Sequence, residues 1–315
     1  MTVLFNSSRP LGRCENLTAI WNAYEGKKTF NMGGFGDVSR FSDCDVVVTD
    51  EFIRSKRNSQ TVVMVEHGLC GGKKYGLDQP YGVFYPEACN LVDYFIASSE
   101  RGREFAASAA GIPIERCLAF GMPRTDAYFG KKKGDGGTFL AGYERAYLFV
   151  PTFRARWEPP MPRVDWLAVD EKLEDGEVFV IKRHMITGEP ILNVQCEHIV
   201  EVDKDEPSTP YLIDCDVVVT DYSSIVLDAY VLGKSSVMFA PDDDLAAYEK
   251  ARGFYLDYSE YGHIRCKSGG ALVLSARLAC DFGTNDVEKR CMEITADACD
   301  GHSTERVVDL IRGLA

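Results

Sequence analysis

Apolar positions in this chain cluster into short unbroken runs instead of strict alternations. In the first half such runs cover 2–5, 45–49, 61–65, 94–97 and 117–120, and in the second 146–150, 178–181, 216–220 and 236–240. Runs of this length, rich in Val, Ile and Phe and lacking a polar face, predict strands buried on both sides, as in a parallel sheet covered by helices. Helical patterns separate several of them, and alternation of strand with helix is the signature of a wound parallel sheet. Ser98 or Ser99 is placed to cap a helix that runs to Ala110 and stops at Gly111, ahead of Pro113. Further helices are predicted near 285–298 and over 303–314. With Ser303 as cap, the latter sets Val307, Val308, Leu310 and Ile311 in one stripe beside polar Glu305, Arg306 and Asp309, which predicts a packing role.

A repeat organises these elements. Residues 43–50 spell DCDVVVTD and residues 214–221 spell the same eight letters, at an offset of 171. Convergence accounts easily for three valines and poorly for eight consecutive positions. The expectation is an α/β protein of two similarly built halves, each a Rossmann-like, doubly wound parallel sheet. The polar, Gly-rich stretch 131–142 has the composition of a linker. It divides the chain into domains 1–142 and 143–315.

Composition narrows the class. At 315 residues, 45% hydrophobic and 26% charged, the chain matches ordinary globular proteins and has the length of two domains. No stretch reaches the roughly 18 to 20 apolar residues of a membrane span, and the first residues carry no basic leader, so neither export nor membrane insertion is expected. Eleven cysteines, an odd number without a CxxC pair, are expected as free thiols of a reducing cytoplasm. The net charge of −13 is uneven: residues 1–150 hold 18 basic against 17 acidic side chains, and the rest 17 against 31. Such a balance argues against nucleic acid as partner, whose footprint is a basic face. An anionic membrane or polyphosphate would meet the first half more readily than the second.

Chemistry is expected at the carboxyl ends of the strands, where parallel sheets bind ligands and helix N-termini point inward. The strongest site is Thr220-Asp221-Tyr222-Ser223-Ser224, after the second copy of the repeat. Ser223 and Ser224 place two hydroxyls where free backbone N–H groups favour an anion such as a pyrophosphate, although an ordinary N-cap has the same letters. After the run 61–65 come Glu66, His67 and Gly68, then Gly71, Gly72, Lys73 and Lys74. The histidine is suited to take a proton near neutral pH and the glycines let backbone approach a ligand, while a histidine that merely bridges loops reads the same. Lys182, Arg183 and His184 leave the run 178–181 with positive donors. Arg154, in Pro-Thr-Phe-Arg, and Arg124, in Gly-Met-Pro-Arg-Thr-Asp, also follow strands; arginine suits bidentate phosphate contact, though surface ion pairing is its commoner use.

Together these pieces resemble the CDP-glycerol glycerophosphotransferase family, bacterial enzymes that prime or polymerise teichoic acids and related capsular polymers. The likeness runs from the opening 6–24 through His67-Gly68 with Lys73, Lys74 and Gly76, then GMPRTD, PTFR, KRH and DVVVTDYSS with Asp228, to Arg252-Gly253-Phe254-Tyr255 and DGHSTERVVDLI. It implies a GT-B architecture, with two Rossmann-like domains facing a cleft, the first on the acceptor side and the second binding the donor. It implies a CDP-alditol donor, CDP-glycerol or CDP-ribitol, with CMP as leaving group and no cofactor. The acceptor it implies is a hydroxyl of a polyol-phosphate or glycan chain, lipid-linked, at the cytoplasmic face of the membrane. By motif, His67 becomes the general base, and His184, Ser223 and Ser224 hold the donor phosphates. Asp221, Arg154, Arg124 and Lys182 complete the donor side, with Gly68, Lys73 and Lys74 on the acceptor loop. No ligand spacing for a metal appears, so cationic side chains and helix dipoles take over charge stabilisation. Met185 stands where the family has Pro after the second histidine, and Leu69-Cys70 where it has Thr-Pro. Two other classes share the expected fold: a GT-B glycosyltransferase using a nucleotide sugar, and a non-catalytic nucleotide-binding subunit.

Overall fold

The computed structural model describes residues 2–66, 68–69, 71–80, 86–155 and 158–314. They form two compact units, one of residues 1–129 and 293–315, the other of residues 130–292. In the first unit β1 (Thr2–Asn6), β2 (Lys28–Asn31), β3 (Cys44–Thr49), β4 (Thr61–Val65), β5 (Tyr94–Ala97) and β6 (Cys117–Ala119) make a parallel sheet ordered β2-β1-β3-β4-β5-β6. In the second, β7 (Arg145–Phe149), β8 (Glu177–Ile181), β9 (Ile199–Glu201), β10 (Val217–Thr220), β11 (Ser235–Phe239) and β12 (Arg265–Cys266) are ordered β12-β11-β10-β7-β8-β9. Each order reverses once, between β1 and β3 and between β7 and β10. There the chain leaves neighbouring strands in opposite directions and a crevice opens beyond their carboxyl ends.

The unbroken apolar runs follow from two-sided burial. Tyr147, Phe149, Phe179, Ile181, Val217 and Val219 face a core shared with Leu272, Val273, Ala276 and Ala279 of the helix Leu272–Phe282. The intervening Ala146, Leu148, Val178, Val180 and Val218 face the opposite core, with Tyr211, Leu212 and Ala229. All nine predicted strands are present, with ends shifted by a residue at most. β2, β9 and β12, which no apolar run marks, are edge strands. An edge strand needs no apolar residue at every position, and β2 is only half-buried throughout. The capped helix forms as Glu100–Ala110, with the Gly102 N–H donating to Ser99 Oγ at 2.7 Å and Gly111 in the left-handed region at φ 65°.

The division of the chain differs from 1–142 and 143–315 at both places. Residues 131–142 are not a free linker: the buried Asp214 carboxylate accepts from the Gly134, Gly136 and Thr138 amides at 2.8, 2.9 and 2.7 Å, and from the Thr138 hydroxyl at 2.8 Å. Composition shows the glycines but not the carboxylate that binds their amides. The terminal helix Ser303–Leu314 belongs to the first unit, where it packs on the helix Glu15–Ala23 and the turn Pro123–Tyr128. Its cap is Asp126, which accepts from the Ser303 and Thr304 amides at 3.0 and 2.7 Å; Ser303 is itself the first helical residue. The ten described cysteines are free thiols.

Candidate functional site

At the reversal between β7 and β10 the second unit brings together segments 67 residues apart in sequence, Arg154 and Asp221 among them. The β10 end delivers Asp221 and Tyr222, both buried, and then half-buried Ser223 and Ser224. The Ser223 and Ser224 carbonyls accept from the Val226 and Leu227 amides at 3.3 and 3.0 Å, which opens the helix Ile225–Val231. Ser224 makes no side-chain capping bond, so the plain N-cap alternative does not account for it. Ser223 Oγ accepts from the Ile225 amide at 3.5 Å, a long contact that leaves its proton available.

The β7 end supplies Thr152, which is 7% exposed. Its N–H donates to Asp221 Oδ1 at 2.7 Å, while its Oγ1 is buried without a hydrogen-bond partner among the described residues. A buried hydroxyl left so costs the fold about 1–3 kcal/mol, so its retention at a strand end points toward a ligand. Arg154 and Asp221 are placed differently from an exposed anion clamp. Arg154 Nη2 lies 2.8 Å from Asp221 Oδ2 and 3.3 Å from Asp244 Oδ2, and Nη1 donates to the Pro159 carbonyl at 3.1 Å. The guanidinium lies over the rings of Tyr222 and Tyr248, 4.9 and 4.7 Å from their centroids, and those rings stack at 4.2 Å. Burial works against the charge on Arg154, but Asp221 and Asp244 overcome it and raise its pKa. This buried network fixes the two loops on which Thr152, Ser223 and Ser224 stand.

From β8 come Lys182 and His184. Lys182 is 3% exposed and its Nζ donates to the Lys204 carbonyl at 2.9 Å. Burial lowers its pKa, opposed by Glu206, Asp203 and Asp205. Its charge is thus turned toward backbone and acidic side chains of its own unit. His184 is exposed, lies 5.7 Å from the Phe153 ring and accepts from the Ile186 amide through Nδ1 at 3.3 Å. That bond fixes the ring with Nδ1 as acceptor and the proton of the neutral imidazole on Nε2.

In the first unit His67 lies outside the described residues. Its neighbours are defined: Gly68, Lys73 and Lys74 are half-buried and follow β4. Gly71 has φ 120° and a Cβ there would stand 2.6 Å from Thr295 Cγ2, so only glycine fits. Arg124 is 8% exposed in the turn after β6. A residue not singled out from the sequence joins the two segments: Asn16, 2% exposed, donates from Nδ2 to the Glu66 carbonyl at 2.6 Å and accepts the Arg124 amide on Oδ1 at 2.9 Å. Asn16 stands in the helix Glu15–Ala23, which no sequence pattern singled out. Asp244 was equally hidden, in the acidic run 242–244.

Residues 22–313 match the family described as CDP-Glycerol:Poly(glycerophosphate) glycerophosphotransferase. The chain is 26% identical over 297 residues to the teichoic acid poly(ribitol-phosphate) polymerase of Bacillus spizizenii, covering 86% of this chain and 47% of the relative. It is 23% identical over 315 residues to the teichoic acid ribitol-phosphate primase of the same organism, covering 91% and 79%. A glycerol-phosphate primase of Bacillus subtilis is 23% identical over 68% of this chain and 59% of its own length. The chain therefore spans about half the length of the polymerase it matches. Among solved structures, the wall teichoic acid polymerase TagF superposes with a TM-score of 0.76 at 19% identity, over 99% of this chain and 88% of that one. This likeness is one of fold: two Rossmann-like units of GT-B type.

Proposed function

Because the chain belongs to the CDP-glycerol:poly(glycerophosphate) glycerophosphotransferase family, we propose that it transfers an alditol phosphate from CDP-glycerol or CDP-ribitol to a hydroxyl of a teichoic-acid-like or capsular polymer, or its primer. The observation that carries the donor placement is the orphaned Thr152 hydroxyl beside Ser223 and Ser224 at the reversal of the second sheet. Three hydroxyls donate to a diphosphate without bringing in a further negative charge. His184, exposed at the adjoining strand end, adds a donor through Nε2.

The acceptor oxygen attacks the phosphorus that bears the alditol. A new P–O bond forms, the bond from that phosphorus to the CMP oxygen breaks, and CMP leaves. The acceptor proton passes to a base, a role assigned to His67 by motif. Positioning and charge stabilisation supply most of the acceleration in such transfers, and no cofactor is invoked. The acceptor is taken to be a lipid-linked polyol-phosphate or glycan chain, met at the cytoplasmic face of the membrane by peripheral contact. None of the described helices is long and apolar enough to cross a membrane.

The test is chromatography of the nucleotide released from CDP-glycerol and CDP-ribitol with a polyol-phosphate acceptor. CMP is expected, and His67→Ala should slow its release by roughly 10² to 10⁴ while CDP binding persists. Release of a nucleoside diphosphate from a nucleotide sugar would replace this reading by glycosyl transfer. Stabilisation by CDP without turnover on any acceptor would reduce the chain to a binding subunit.

A further inference from the structure

We propose that the first unit holds a second ligand site, for a polyol phosphate, at its own reversal between β1 and β3. Only the role of that ligand, as the acceptor end, rests on the transferase reading; the binding is argued from the first unit alone. The two DCDVVVTD copies end on Asp50 and Asp221, each beyond the strand that neighbours the first strand of its unit. Each aspartate pairs with an arginine from the loop after that first strand: Arg9 Nη2 lies 2.7 Å from Asp50 Oδ2, as Arg154 Nη2 lies 2.8 Å from Asp221 Oδ2.

The duplicated frame satisfies both oxygens of its aspartate in the second unit and only one in the first. Asp221 Oδ1 accepts from the Thr152 and Tyr222 amides at 2.7 and 2.6 Å, and Arg154 is enclosed by Tyr222, Tyr248 and Asp244. Asp50 Oδ2 accepts from Arg9 and from the Ser7 hydroxyl at 3.2 Å, but Asp50 Oδ1 has no partner among the described residues although the residue is 1% exposed. The Arg9 side chain is 22% exposed, and its Nε and Nη1 make no bond among the described residues. The crevice walls are fixed: Asn6 donates to the Gly34 carbonyl at 2.7 Å and accepts from Asn31 Nδ2 at 2.7 Å. Gly34, at φ 51°, comes so close that a Cβ would stand 2.7 Å from Ser8 Cβ and 2.8 Å from Glu51 Oε2.

A buried oxygen lacking a donor, next to a guanidinium with spare N–H groups, calls for a ligand with a hydroxyl near a phosphate. The phosphate takes the outward N–H groups of Arg9 and the hydroxyl pairs with Asp50 Oδ1. Burial pushes the Asp50 carboxyl up against the pull of Arg9, and a hydroxyl serves either protonation state because it both donates and accepts. A nucleoside diphosphate is disfavoured, since Asp50 already takes up part of the charge of Arg9. A phosphate ester of a polyol brings less charge and more hydroxyls.

The probe is sn-glycerol 3-phosphate, titrated calorimetrically into the full chain beside inorganic phosphate and CDP. The wild type should bind glycerol 3-phosphate more tightly than inorganic phosphate. Arg9→Gln should weaken it roughly 10- to 100-fold and leave CDP affinity within about twofold. Asp50→Asn should bring glycerol 3-phosphate toward the affinity of inorganic phosphate. Should Arg9→Gln melt early, Arg9→Lys keeps the charge without the fork and is expected to bind between the two. Wild-type binding no better than inorganic phosphate, or binding indifferent to Arg9, overturns the proposal even while CDP binds normally. Failure of the wild type to bind CDP sinks the donor reading instead, and the glycerol 3-phosphate titration still decides this site.

Discussion

Thr152 and Arg154 sit two positions apart in Pro-Thr-Phe-Arg and carry opposite meanings. The arginine drew attention in the sequence because its charge suits a phosphate, yet Asp221, Asp244 and two tyrosine rings surround it. The threonine has no charge to mark it, and its hydroxyl is buried without a hydrogen-bond partner among the described residues. Thr152→Val keeps the shape and removes that hydroxyl. Unfolding free energy should stay level or rise slightly, whereas CDP affinity should fall roughly three- to tenfold. Calorimetric titration paired with urea unfolding separates the two; lost stability with unchanged CDP affinity would return the hydroxyl to the fold. The same holds for Asn16, which joins the Glu66 carbonyl, 50 residues away, to the Arg124 amide, 108 residues away.

At the scale of elements, charges fasten helices to sheets where apolar packing alone would leave the join unspecified. β8 opens on Glu177, which accepts from Tyr147 of β7 at 2.8 Å and from Arg277 of the helix Leu272–Phe282 at 2.9 and 2.5 Å. Burial opposes ionisation of this carboxyl, but the hydrogen bonds from Arg277 and Tyr147 outweigh it and hold the pKa at about 2, below the ordinary 4.5. A depressed folded pKa stabilises fully above the unfolded value and is lost as pH falls through the folded one. The contribution therefore fades between about 4.5 and about 2. Arg277→Met should cost about 1–3 kcal/mol at neutral pH, from lost bonds to a charged group. Urea unfolding of wild type and variant should converge on acidification across that window, and a gap independent of pH would place the effect in packing.

Across the whole molecule, the division into units depends on the last helix. Asp126 holds its opening amides and Arg306 reaches the Phe120 carbonyl at 3.0 Å, so residues 293–315 complete the first unit. The charge balance shifts with that boundary, to 16 basic against 20 acidic side chains in the first unit and 19 against 28 in the second. The first unit is thus less basic than the sequence halves implied. Asp126→Ala removes the cap and should cost about 0.5–2 kcal/mol. Hydrogen exchange is expected to quicken in β1 and β3 and to stay unchanged in β7 and β10. Equal acceleration in both sheets would mean that the units do not open separately.

The eight interior strands and β6, the repeat and the family likeness were legible in the chain because each depends on local order: a strand buried on two faces must be apolar at successive positions. The edge strands β2, β9 and β12, the attachment of 131–142 to Asp214 and the return of the terminal helix were not, since each is settled by a partner far away in sequence. The same holds for the candidate sites. Residue types at the strand ends marked where polar chemistry would gather. Which carboxylates and guanidinium groups neutralise one another, and which oxygen is left without a donor, was decided by tertiary packing, because a hydrogen bond is satisfied or orphaned only once both loops are in place.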